Sequence, residues 1–147
     1  MAKITWNPRP FTSAVRASMA DGLTAGAEVL ADEMARNFGS EGGGVIGKTA
    51  TGRNVYKAAP PGKFPGIRTG NLRNSIAYQA ATPAEMIAYA GCAPGQIDRY
   101  GYWLEYGTSK MAARPWAKRS LYKSLDRIVG TILAKAKSSM VERVGAT

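Results

Sequence analysis

The sequence predicts an α+β fold: two long amphipathic helices packed on a small antiparallel β-sheet, with a long Gly/Pro-rich loop after the first helix. Three observations carry this. Apolar residues recur at steps of three and four near both ends of the chain. Residues 39–70 hold nine glycines and three prolines, too many breakers for a helix or a central strand. Two short apolar runs then flank Thr82-Pro83, as in a hairpin. A chain of 147 residues fits one domain, 1–147, with residues 1–11 as an N-terminal arm.

The first helix is read from Phe11, Val15, Met19, Leu23, Ala27, Leu30, Met34 and Phe38, one stripe on a helix about 40 Å long. Thr12 or Ser13 is its expected cap after Pro8 and Pro10, and Gly39 its stop. Gly22 and Gly26 weaken it by about 1 kcal/mol each unless close packing or a bend uses them.

In the loop 39–70, Val45, Ile46, Val55 and Tyr56 suffice at most for a short exposed hairpin. The expectation is a loop ordered against a partner, or a mobile one. The runs NSIAYQAA and EMIAYAG read as paired antiparallel strands. Tyr100–Tyr106 reads as a short helix turning Trp103 and Leu104 inward, with a possible edge strand behind it. The last helix starts at Pro115 and runs to about Val144, with Leu121, Leu125, Ile128, Ile132, Ala136, Met140 and Val144 on one stripe.

Composition excludes whole classes of chemistry. Histidine is absent and Cys92 is the only cysteine, so there is no His-bearing zinc site, no Ser-His or Cys-His pair and no internal disulfide. No metal and no cofactor are expected. Neither a signal-peptide pattern nor an 18-residue apolar run is visible, so the expectation is a soluble chain with no membrane partner. The net charge is +10; residues 1–40 are neutral and residues 41–80 carry six basic residues against one acid. Such a field attracts nucleic acid or an acidic protein neighbour alike.

Gly42–Thr49 formally satisfies G-x-x-x-x-G-K-[ST], but a phosphate cradle needs a strand before it and a helix after it, and here a helix precedes and ATGRNVYKAAPPG follows. Glu85, Asp98 and Glu105 are scattered acids without a supporting base, and Cys92 reads as a structural thiol. The chain is therefore read as no enzyme. The basic loop, Lys48, Arg53, Lys57, Lys63, Arg68 and Arg73 with Tyr56 and Phe64 interleaved, keeps a nucleic-acid-binding module as an alternative.

The strongest pattern is PGKFPGIRTGNLRNSI at 61–76, then YAG at 89–91, then YGYWLEYGTSKMAARPWAKRSL at 100–121, flanked by the two helices. This order resembles the tail-component family of long-tailed phages typified by the tenth gene product of a lambdoid phage. The resembling positions are Arg68, Thr69, Gly70, Leu72, Arg73, Ser75 and Ile76; Tyr102, Glu105, Gly107 and Thr108; and Lys110, Met111, Ala113, Arg114, Pro115 and Trp116. The Gly-rich stretch 39–59 and the approach 92–99 are longer than that pattern needs.

The resemblance implies a structural virion protein at the head-tail neck or tail end, without catalysis, present in host cytoplasm during assembly. It implies a homo-oligomeric ring, hexameric in the virion, that completes the tail and meets head connector, stopper, tail terminator or tail tube proteins. A role as tail terminator or another minor tail protein is the near alternative, and non-specific contact with packaged DNA is compatible with either. The candidate interface is then Arg68, Thr69, Gly70, Leu72, Arg73, Tyr102, Glu105, Gly107, Thr108, Lys110, Met111, Arg114, Pro115 and Trp116. Arg68, Arg73 and Arg114 suit bidentate bonds to a neighbour's carboxylates, and Glu105 suits an acceptor role within the chain or across the ring.

Overall fold

The computed structural model describes residues 8–145, and among residues 96–98 the backbone alone. It is mostly α-helical, which corrects the expected α+β arrangement of two helices on one sheet. Among the described residues the elements are α1 (Pro8–Asn37), β1 (Gly44–Lys48), β2 (Asn54–Lys57), α2 (Asn71–Asn74), β3 (Ile76–Gln79), β4 (Tyr89–Cys92), α3 (Gln96–Tyr106) and α4 (Ala117–Gly145). The strands form two separate two-stranded antiparallel sheets, β1-β2 and β3-β4, instead of one platform for both helices. No helix among the described residues is long and apolar enough to cross a membrane.

α1 starts at Pro8, inside the expected arm, of which residues 1–7 lie outside the described residues. Pro8 and Pro10 are tolerated because the first four N–H groups of a helix lack intrahelical acceptors anyway. Thr12 and Ser13 consequently do not cap; their hydroxyls donate back to the carbonyls of Pro8 and Pro10. The chain leaves the helix through Gly39 at φ 77°, whose N–H donates to Pro65 O at 2.8 Å.

Two compact units are assembled from discontinuous segments. The first comprises the described parts of Met1–Val29, Tyr78–Tyr89 and Asp126–Thr147. Here α1 meets α4 through small residues: a Cβ on Gly22 would lie 2.7 Å from Ile132 O, and one on Gly26 would lie 2.5 Å from Ile132 Cγ1. The glycines thus serve close approach of the two helices. Phe11 and Met19, expected to face inward, are about half exposed, while Ser18, Ala20 and Ala27 are buried. Polar ties complete the seam: Arg143 Nη2 lies 2.8 Å from Asp21 Oδ2, and Ser139 donates to the same carboxylate. These hydrogen bonds, Ser139 first and then Arg143, hold the Asp21 carboxyl below its ordinary range.

The second unit comprises Leu30–Ala77 and Ala90–Leu125. Its core is Met34, Phe38, Phe64, Leu72, Leu104 and Trp116. On α4 and the residue leading into it the inward face here is Trp116, Ser120 and Ser124, while Leu125 is exposed. Small hydroxyl residues let the backbones approach and still find partners: Asn37 Nδ2 donates to Ser120 Oγ at 3.0 Å, and Lys123 Nζ to Asn37 Oδ1 at 2.7 Å.

The expected long loop is not a free segment. It begins with the β1-β2 hairpin, in register Gly44 with Lys57 and Lys48 with Asn54, and Ile46 bulges between Val45 and Gly47. It continues into a stretch anchored by buried Ala59 and Phe64. Glu41 ties this stretch to α4: its Oε2 accepts from Phe64 N at 2.8 Å and its Oε1 from Arg119 Nη2 at 3.0 Å. The Arg119 guanidinium also stacks 4.3 Å above the Phe64 ring.

The Arg119 hydrogen bond, helped by Phe64 N–H, pulls the Glu41 carboxyl from 4.5 down to about 2. A depressed carboxylate stabilises the folded state above its unfolded value, so this contribution is present above about pH 4.5 and fades as pH falls toward 2. A carboxyl-carbon NMR titration should find a Glu41 midpoint near 2, and Arg119→Met should return it toward 4.5. A midpoint that ignores Arg119→Met would remove Arg119 as the cause.

Candidate functional site

The separated sequence blocks meet in the second unit. Gly70, at φ 81°, leads into the single turn α2, and Leu72 drops from that turn into the core. Arg68, Thr69 and Arg73 stay on the outside of this turn. The Arg68 guanidinium lies 5.2 Å from the centroid of the Tyr56 ring, and Thr69 Oγ1 accepts weakly from Asn71 N at 3.4 Å.

α3 turns Leu104 into the core and leaves Trp103 about half exposed, which corrects the expectation that both face inward. The buried neighbour on that face is Gly101, one turn earlier, where a Cβ would come within 2.9 Å of Cys92 Sγ. Tyr102 and Tyr106 are strongly exposed and pack on each other, with ring centroids 4.7 Å apart.

Glu105, in the last turn of α3, accepts three backbone N–H groups at the start of α4: Trp116 N at 2.7 Å, Ala117 N at 2.9 Å and Lys118 N at 3.0 Å. A carboxylate there satisfies orphan donors and meets the positive end of the helix dipole. Pro115 precedes these donors. Trp116 packs on Phe38 with centroids 5.6 Å apart and donates Nε1–H to Gly101 O at 2.9 Å.

Between α3 and α4 the chain makes a tight bridge in place of the expected edge strand. Thr108 N donates to Met111 O at 2.8 Å, and Lys110 N lies 3.3 Å from Thr108 Oγ1. Gly107 enters the bridge at φ 79° and ψ 179°, a region essentially confined to glycine, and a Cβ there would crowd Ala113 N and Met111 O at 2.9 Å. Arg114 spends its guanidinium inside the unit, with Nε donating to Ala59 O at 2.7 Å and Nη1 to Ala112 O at 3.2 Å.

The candidates therefore divide by direction. Leu72, Glu105, Gly107, Thr108, Met111, Arg114, Pro115 and Trp116 build the junction of α2, α3 and α4. Arg68, Thr69, Arg73, Tyr102 and Lys110 face outward, and Gly70 leads the chain into α2.

Two adjoining concavities open beside that junction. One, of about 290 Å³, lies against Leu72, Arg73 and Phe38; the other, of about 250 Å³, against Tyr56, Lys57 and Met111. Gly66, Arg68, Tyr100 and Leu104 line both. Tyr100 and Lys57 are parts of this surface that the resembling motif positions omit; Lys57 belongs to the basic stretch visible in the sequence, whereas nothing local ties it to Tyr100, which meets it only in the fold.

The Gly42–Thr49 segment supplies β1, whose backbone pairs with β2 instead of curling around an anion. Glu85 N–H bonds Thr82 Oγ1, and the side chain of Asp98 lies outside the described residues. No family model, curated protein or solved structure matches this chain.

Proposed function

We propose that this chain is a structural protein of a phage particle, a neck or tail-completion component whose copies form a ring joining the tail to the head. The observation that supports the reading is the convergence of the three separated blocks on one junction. Leu72, Leu104 and Trp116 share a core, Glu105 binds the start of α4, and Arg68, Arg73, Lys110 and Tyr102 are left outward for a neighbour. A junction that fixes its own geometry with internal hydrogen bonds is suited to presenting a rigid surface in an assembly. A head-to-tail interface between copies closes into a ring when its rotation allows.

The test is peptide mass spectrometry with absolute copy counting on purified particles from the host that carries the sequence. About six to twelve copies per particle are expected of one or two closed rings. Clear expression in the lysate with no copies in mature particles overturns the reading.

A further inference from the structure

We infer that the two adjoining concavities of the second unit form one docking groove for an acidic, extended segment of a different protein, with an aromatic or branched aliphatic side chain as its anchor. The inference rests on the assembly reading only in taking the occupant to be a protein.

Charge selects the occupant's sign. Lys57, Arg68, Arg73 and Arg114 line the groove, and none of its lining residues is acidic. Arg114 is committed to Ala59 O and Ala112 O, and Arg68 rests on Tyr56, but no acid among the described side chains forms an ion pair with Arg68, Arg73 or Lys57. Guanidinium groups beside a partly enclosed apolar surface favour planar carboxylates, which they bind bidentately.

The floor of the groove is apolar. Leu72 and Leu104, both under one tenth exposed, lie under a wall formed by half-exposed Tyr100. The part of the groove over Leu72 and Leu104, about 290 Å³, has room for a large side chain, and its continuation beside Lys57 leaves room for the backbone that presents it. Anchors of that kind carry most of the energy of a protein interface. The partner's anchor thus settles against Tyr100 above Leu72 and Leu104, while its flanking carboxylates meet Arg68 and Arg73.

A second copy of the chain is a poor occupant. The only adjacent acids in the sequence, Asp32 and Glu33, already face Arg36 and Lys123. Glu41 is held by Arg119, Asp21 by Arg143 and Glu105 by the start of α4. A chain of net charge +10 whose one pair of adjacent acids is so engaged has no acidic run to offer its own groove. A nucleic-acid strand fits less well, because it needs aromatic faces on which to stack bases. One face of Tyr56 is taken by Arg68, and the floor beneath the cations is aliphatic, Leu72 and Leu104, where a stacking strand would need aromatic faces.

The test uses the full chain and fluorescence anisotropy with a fluorescein-labelled peptide, EDFDEL, alongside a labelled twelve-residue oligothymidylate. Both probes are measured against Arg68→Ala, Arg73→Ala and the surface control Lys137→Ala, with circular dichroism to verify folding. The peptide should bind the unmodified chain more tightly than the oligonucleotide. Arg68→Ala and Arg73→Ala should each weaken it about tenfold, the scale of one charge-assisted pair, and Lys137→Ala should leave it within twofold.

Absence of peptide binding, equal losses in all three variants, or tighter binding of the oligonucleotide with losses at Arg68 and Arg73 would each overturn the inference; the last would make the groove a nucleic-acid site. The particle count is independent of this outcome. Copies in particles without peptide binding would defeat the groove alone, and peptide binding without copies in particles would defeat the virion reading alone.

Discussion

Trp116→Ala should lower the unfolding free energy by about 3–5 kcal/mol, the range for removing a large buried aromatic. Trp116 is the residue on which the second unit closes: its ring meets Phe38 beyond the end of α1, its indole N–H reaches Gly101 O of α3, and it stands at the start of α4. Truncation opens a cavity between three helices and removes the donor to Gly101 O. Trp116→Phe keeps much of the packing and loses the hydrogen bond, so about 1–2 kcal/mol is expected of it. Denaturant unfolding followed by far-ultraviolet circular dichroism would measure both. A Trp116→Ala loss below about 1 kcal/mol would mean that the core collapses readily around the gap and that the junction is not rigid.

Glu105→Ala should cost about 2 kcal/mol, near the top of the range for a helix cap, because one carboxylate serves three N–H groups at the positive end of α4. For a domain of this size that corresponds to a fall of about 6–8 °C in Tm. Glu105→Gln retains an oxygen acceptor but not the charge and should fall about halfway. Equal losses for both would assign the effect to charge, and no loss for either would mean that water caps α4 equally well. The residue sits on α3 and caps α4, so its loss should also loosen the angle between those helices, visible as faster amide hydrogen exchange at residues 116–118.

The helices are legible in the sequence because their periodicity is local. Apolar steps of three and four identify α1 and α4, and Gly39 marks the end of the first. The buried faces are less legible. Large residues such as Phe11, Met19 and Leu125 follow the stripe yet stand exposed, while Ser18, Gly22, Gly26, Ser120 and Ser124 sit inward. A stripe of large side chains predicts knobs filling a wide gap; here the helices approach closely, and small residues are what such a gap admits.

The order in residues 39–70 is hidden from the sequence because its restraints are distant along the chain. Nothing local shows that Glu41 meets Arg119, or that Phe64 lies under that arginine. The site is legible as a set of residues more than as a set of roles. Glu105 reads as an acceptor awaiting a cation, but its donors are backbone N–H groups, which every residue except proline carries and no motif advertises.

The β1-β2 hairpin bears on how copies of the chain avoid pairing edge to edge. A ribbon of two strands has two open edges, each able to recruit a strand from another molecule, and this one carries exposed Val45, Ile46, Val55 and Tyr56. Three features oppose runaway fibre growth. The bulge at Ile46 breaks the regular spacing that an added strand would need, Gly47 interrupts the apolar run, and Lys48, Arg53 and Lys57 put like charges on every approaching copy. Lys57 belongs to both sets: it lines the groove proposed for an acidic chain, and it stands among the like charges that keep copies of this ribbon from pairing edge to edge.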